Sequence, residues 1–194
     1  MAFKYLTRPQ TWLRHRITKF VQSHTLTQPC TVMHVRRSDV VLHGSQSRRY
    51  HSIAEYVNAS SAGFPVHDNI LILSDDANAI DEAFAEFPQY NWMFINRTRY
   101  RGAEGGWENQ LPSNDPAYEM VVLLGTFELI KQCQSFVRTV SGIADIFESE
   151  LKSTDEDFPV INLDEGRDDV WSEENRESVV VSEAWQKKSG TPSG

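Results

Sequence analysis

The sequence predicts an α/β fold in which a parallel sheet is covered by helices on both faces. Three observations carry this. Short apolar runs rich in β-branched residues recur along the chain as far as Val140. Between them lie segments whose apolar residues fall at helical spacing. The cleanest run, Asn69-Ile70-Leu71-Ile72-Leu73-Ser74, is apolar without alternation, the pattern of a strand buried on both faces.

The elements follow in order. Trp12, Leu13, Ile17, Phe20 and Val21 predict a helix over 10–23, with its arginines and Lys19 on the other face. Pro29 interrupts, and Thr31–Val35 reads as a short buried strand. A polar loop runs from Ser38 to Tyr50, after which Ser52-Ile53-Ala54-Glu55 matches a capping box opening a helix to about residue 60. The strand 69–74 ends in Asp75-Asp76, where Asp76 can cap a helix reaching Phe87. Trp92–Ile95 is a third strand, and Asn96–Pro116 is a long loop rich in Gly, Asn, Pro and Arg. Ala117–Gln132 follows as a helix, Ser135–Val140 as a fourth strand, and Gly142 starts a last helix. Beyond residue 152 the pattern gives way to acids, Ser and Gly, with short edge strands expected at 158–161 and 179–181. The organisation expected is one domain over 1–150 and an acidic, largely flexible tail over 151–194.

Hydrophobic residues make up 40% of the 194, enough for a packed core and too many for a disordered chain. The net charge of −8 argues against a nucleic-acid partner, which calls for a surplus of Lys and Arg. The charge is uneven: the first fifty residues are basic, and acids dominate from Asp155 to Glu183. A phosphate-bearing ligand would therefore sit toward the N-terminal half. Cys30 and Cys133 show no metal-ligand spacing and read as two small buried thiols. Asn58-Ala59-Ser60 and Asn96-Arg97-Thr98 are N-glycosylation triplets that permit a secretory location without demonstrating one. The first twenty residues hold no continuous apolar run of the signal-peptide kind, and no segment approaches membrane-spanning length.

Ligands of parallel α/β folds sit at the carboxyl ends of the strands. The first strand ends at His34-Val35-Arg36-Arg37, the second at Asp75-Asp76 and the fourth at Thr139–Gly142, so three polar clusters converge on one edge. Nothing about a strand end calls for paired guanidiniums. In extended backbone neighbouring side chains point to opposite sides, so one arginine could grip a ligand while the other anchors Asp39 or a nearby loop. Arg suits a diphosphate because its planar, permanently charged donors take two oxygens at once. The alternative is a surface pair in salt bridges with local acids. Asp75-Asp76 reads as a helix cap, a site wall, or both, and His34 as a satisfied core histidine or a ligand contact.

His34-Val35-Arg36-Arg37-Ser38-Asp39, then Tyr50–Tyr56, then Leu73-Ser74-Asp75-Asp76, resembles the ordered motif set of the glycosyltransferase family 23 α1,6-fucosyltransferases. The lead-in Leu6–Leu13 and the strand end Thr139-Val140-Ser141 are similar to segments of the same family, and the match runs from about residue 5 to 150. The resemblance implies a Rossmann-like sheet forming the donor-binding half of a GT-B-like glycosyltransferase. It implies transfer of fucose from GDP-fucose to an N-acetylglucosamine of an N-glycan, inverting and with no metal or other cofactor. Arg36 and Arg37 are then implied to hold the diphosphate, with His34 near the nucleotide, Ser141 near the phosphates, and Asp75 and Asp76 in the cleft wall. Tyr56 would lie on the acceptor side or in the cleft. From the residues themselves, Gly105-Gly106-Trp107-Glu108-Asn109 reads as a sugar-binding surface or an ordinary solvent loop, and Arg48-Arg49-Tyr50 as positive potential at the cleft mouth or as surface arginines. A cationic clamp on the leaving diphosphate supplies the charge stabilisation such a reaction needs.

The chain departs from the family in places. Val40 stands where the family has a lysine, the loop Val41–Arg49 lacks the family's glutamate, and Thr126 stands where the family has an aspartate near the guanine. The candidates left for the catalytic base are Asp39 and, in the long loop, Glu108 or Glu104. The resemblance also implies a membrane anchor, a stem and a further catalytic subdomain ahead of this region, and a Golgi lumen location. The chain then reads as half of an enzyme, or as a non-catalytic nucleotide- or glycan-binding module derived from one.

Overall fold

The structure is a computed structural model and describes residues 10–37, 49–63, 67–97, 99, 101 and 115–164. The elements are α1 (Thr11–Ser23), β1 (Cys30–Val35), α2 (Ile53–Gly63), β2 (Asn69–Ser74), α3 (Ala77–Glu86), β3 (Asn91–Met93), α4 (Pro116–Ile130), β4 (Ser135–Arg138), α5 (Gly142–Lys152) and β5 (Val160–Asn162). All five strands are parallel in the order β3-β2-β1-β4-β5. The α/β expectation stands, with strand and helix ends differing from the sequence reading by a residue or two.

The order runs outward from β1 to β2 and β3, then returns to β4 on the other side of β1. Parallel crossovers are right-handed, so reversing direction moves the connecting helices to the opposite face. The core divides accordingly. Met33, Val35, Ile70, Ile72 and Val137 pack with α2 and α3 through Ile53, Tyr56, Ala79 and Ile80. Val32, Leu71 and Phe136 pack with α1, α4 and α5 through Phe20, Val122, Phe127 and Phe147. Alternate residues of one strand serve opposite faces, as the pleat requires.

Local chemistry sets the helix starts. At α2 the capping box forms as read: Glu55 Oε2 accepts from Ser52 N at 2.8 Å, and Ser52 Oγ accepts from Glu55 N at 3.3 Å. Asp115 caps α4, accepting from Tyr118 N at 2.9 Å, with Pro116 in the first turn where no ladder hydrogen bond is lost. Midway along α4, Gly125 faces Phe20 of α1 so closely that a Cβ there would stand 2.2 Å from the ring.

One expectation is overturned. Cys30 and Cys133 are not free thiols but a disulfide with a Cα–Cα distance of 4.6 Å. Spacing along the chain gave no sign of it, because the two residues lie 103 positions apart and meet only when β4 is laid beside β1. The sheet also continues past residue 150, since β5 pairs with β4 and the first compact unit extends to Leu163. Residues 165–194, including the expected strand at 179–181, lie outside the described residues.

Candidate functional site

The strand order reverses between β1 and β4, and the crevice outside the carboxyl ends of two such strands is the place where doubly wound sheets receive ligands. On one side, residues 36 and 37 leave β1; on the other, 139–141 turn into α5. The three clusters read from the sequence thus meet at one edge.

The two arginines do different work. Arg37 is 2% exposed, and its guanidinium is committed within the protein. Nε and Nη2 both donate to the carbonyl of His51, at 3.0 and 2.7 Å, and Nη1 donates to Glu82 Oε2 at 2.6 Å. The guanidinium also lies 4.4 Å from the centre of the Tyr50 ring. Glu82, on α3, further accepts from Ile53 N at 2.7 Å and from Tyr50 Oη at 3.3 Å. This node joins the end of β1 to the start of α2. Arg36 is partly exposed and donates from Nη1 to Asp75 Oδ2 at 2.5 Å. Asp75 Oδ1 accepts from the backbone N–H of Arg37 at 3.0 Å, so one carboxylate fixes both the side chain of Arg36 and the backbone that presents it.

His34, next to last in β1, is 8% exposed, and its Nδ1 has no hydrogen-bond partner among the described residues. Its pKa is lowered to about 4, chiefly by burial, with Arg36 and Arg138 adding to the effect and Asp75 and Asp145 opposing it. The imidazole is therefore neutral near pH 7. Its ring meets Phe147 of α5 edge-on at 6.2 Å.

Across the crevice, Ser141 is the N-cap of α5 and accepts from Ala144 N at 3.1 Å. A cap uses an oxygen lone pair and leaves the hydroxyl proton available to donate. The helix start brings partial positive charge and backbone N–H groups to the crevice, the usual partners of a phosphate.

The remaining expected residues divide. Asp76 caps α3, accepting from Asn78 N at 3.0 Å, and is 4% exposed, so it shapes the turn beside Asp75. Tyr56 is not on a cleft surface: it is 1% exposed in the core beneath α2, because its place on the buried face of that helix turns the ring toward the sheet. Arg49 is exposed and pairs with Glu55 Oε1 at 2.7 Å. Asp39, Glu104, Trp107 and Glu108 lie outside the described residues. Thr126 is buried, and its hydroxyl donates to Val122 O of its own helix at 2.7 Å.

Two residues that the sequence reading passed over complete the arrangement. Glu82 offered no signal, since a glutamate on a surface helix is unremarked until the partner it faces is known. Arg138 did offer one: a charged residue in the otherwise buried strand Ser135-Phe136-Val137-Arg138 requires a partner.

A family model described as alpha-(1,6)-fucosyltransferase N- and catalytic domains matches residues 1–100. The alpha-(1,6)-fucosyltransferase of Drosophila melanogaster is 35% identical over 95 residues, covering 45% of this chain. The match covers 15% of that relative's length. Among solved structures, a NodZ alpha-1,6-fucosyltransferase soaked with GDP-fucose overlays 73% of this chain and 42% of its own, at 18% identity and a TM-score of 0.44. The selenomethionine NodZ from Bradyrhizobium overlays 74% of this chain and 41% of its own, at 17% identity and a TM-score of 0.42.

Proposed function

The chain belongs to the alpha-(1,6)-fucosyltransferase family, and from that premise we propose that the crevice between β1 and β4 binds the GDP portion of GDP-fucose. The observation that carries the reading is the presentation of Arg36. Asp75 holds its guanidinium and its backbone neighbour, yet the side chain stays partly exposed at the switch point. We assign diphosphate contact to Arg36 and to the start of α5 with Ser141. His34 is assigned the nucleotide, where a neutral, buried ring with an unpartnered nitrogen can exchange a hydrogen bond with a ligand group. Arg37 is assigned to holding the loop entrance rather than the donor, because its donors are spent on His51 and Glu82.

The reaction proposed is an inverting transfer. An acceptor hydroxyl oxygen attacks the anomeric carbon of fucose, the bond from that carbon to the phosphate oxygen breaks, and GDP leaves with the electron pair. Arg36 and the α5 terminus stabilise the charge that grows on the leaving diphosphate, the task a divalent cation performs in other transferases. The hydroxyl proton goes to a carboxylate, for which Asp39 and Glu108 are the candidates. The acceptor proposed is an N-acetylglucosamine of an N-glycan. A Golgi lumen location is supported by the disulfide, which belongs to an oxidising compartment. No helix among the described residues is long and apolar enough to cross a membrane.

Thermal denaturation with GDP and GDP-fucose tests the reading. Both ligands should raise the Tm, and Arg36→Ala should remove the shift; no shift at millimolar GDP would overturn it. A non-catalytic nucleotide-binding module is the second reading, favoured by Thr126, whose hydroxyl is turned into its own helix. Fucose transfer to an N-glycan acceptor by this chain would eliminate that reading.

A further inference from the structure

We propose that Arg138 is a positioning residue for the nucleotide site, tying α5 to the end of β4 so that the helix start is aimed into the crevice. The inference rests on the reading of that crevice as the GDP site.

Arg138 ends β4, opposite His34 in the register, and is 7% exposed. Both of its partners come from α5. Nη1 bonds Asp145 Oδ1, and Nε lies 2.9 Å from Glu148 Oε2, close enough for an ion pair though off the angle of a hydrogen bond. Glu148 also takes Lys152 Nζ at 2.7 Å. The guanidinium therefore grips the first turn of α5 and the turn after it.

Packing alone does not call for this. Two residues earlier on the same face, Phe136 meets Phe147 of α5 ring to ring, at 6.4 Å. Only the arginine of these pairs is buried, and apolar groups of similar volume are often as stabilising as a buried charge with its partner, so its pairing is better explained by the geometry it selects. Apolar contacts are non-directional and let a helix slide or tilt. Two charged contacts on successive turns fix both its rotation and its tilt against the strand.

That orientation matters because of what the helix start presents. The helical ladder supplies no acceptor for the first N–H groups. Ser141 satisfies those of Ala144, through its hydroxyl, and Asp145, through its carbonyl. The ladder supplies no acceptor for the N–H groups of Gly142 and Ile143, which open the helix just after the end of β4. A second observation marks the same place for a ligand: the buried, unpartnered Nδ1 of His34, on the strand beside Arg138.

GDP titration well below the unfolding temperature tests the proposal. Arg138→Met should raise the Kd for GDP by roughly tenfold to a hundredfold, the scale of a small misplacement transmitted to a binding group. Arg138→Lys should recover part of the loss, since an ammonium can still pair one carboxylate. A lower Tm for Arg138→Met with an unchanged Kd would overturn the positioning role. If Arg138→Met does not fold, Asp145→Asn carries the test, because that side chain is 55% exposed and Arg138 keeps Glu148. The Kd should rise again, and an unchanged value overturns the proposal. Failure of the unaltered chain to bind GDP would overturn both this inference and the nucleotide-site reading, whereas normal binding with insensitive variants overturns this inference alone.

Discussion

Arg37 donates two hydrogen bonds to the single carbonyl oxygen of His51, from Nε at 3.0 Å and Nη2 at 2.7 Å, across fourteen positions of sequence. With Glu82 on the third nitrogen, the buried guanidinium is a bracket between the end of β1 and the start of α2. Arg36, its neighbour, instead lies at the crevice with Asp75. Adjacent residues of one type thus separate into a buried bracket and a partly exposed side chain at the strand end, because successive side chains of an extended chain point to opposite sides.

The two arginines should therefore fail differently. Arg37→Met removes the cation from a buried pair with Glu82, which costs about 3–5 kcal/mol of stability. Arg36→Ala should cost less, about 1.5–3 kcal/mol, since its side chain is 23% exposed and Asp75 keeps the backbone N–H of Arg37, yet abolish the response to GDP. Urea unfolding and GDP titration on both variants check this. Equal losses of stability would refute the division of labour.

His34 predicts a specific dependence on pH. Its folded pKa of about 4 lies below the ordinary 6.5, so the unfolded chain binds the extra proton first as pH falls. Stability from this group is complete above about pH 6.5 and declines as pH drops toward 4. The loss between pH 7 and pH 5 amounts to about 2 kcal/mol by linkage. Urea midpoints for the parent and for His34→Gln should converge as pH falls through that window. Parallel curves would show that the buried imidazole does not titrate as described.

Breaking the Cys30–Cys133 disulfide should destabilise the fold without disturbing the crevice. The bond closes a loop of about a hundred residues, for which chain entropy predicts roughly 4–5 kcal/mol. It joins the amino ends of β1 and β4, whereas the site lies at their carboxyl ends. A Cys30→Ser/Cys133→Ser chain should melt lower yet keep its GDP affinity at low temperature. Loss of affinity in a folded double variant would show that the two ends are coupled.

Gly125→Ala offers a test of helix packing. Alanine gains about 1 kcal/mol of helix propensity, but its Cβ would stand 2.2 Å from Cδ1 of Phe20, and overpacking costs about 1–3 kcal/mol. The net expectation is destabilisation, partly relieved by adding Phe20→Leu. Chemical denaturation of the single and double variants reads the outcome, and a stabilised Gly125→Ala would contradict the closeness of α1 and α4.

Much of this was legible in the sequence because it is local. The unbroken run Asn69–Ser74 marked a strand buried on both faces, Ser52 and Glu55 marked a helix start, and His34-Val35-Arg36-Arg37 marked a polar strand end. These are patterns of period, cap and charge that a few neighbouring residues carry by themselves. The convergence of three strand ends also followed, because parallel strands joined by helices have few arrangements open to them.

What the tertiary structure alone decided depends on pairs far apart in the chain. Cys133 meets Cys30, Glu82 meets Arg37, Asp75 meets Arg36, and Tyr56 turns into the core only once β1 lies between β2 and β4. No spacing encodes such meetings, since the loops between the partners are set by packing rather than by period. The sequence by itself determined which residues could hold a diphosphate. Only the tertiary structure decided how the two are used: Arg37 is buried with its donors on the His51 carbonyl and Glu82, whereas Arg36 stays partly exposed beside Asp75, and a guanidinium already bonded to a backbone carbonyl and a carboxylate has few donors left for a ligand.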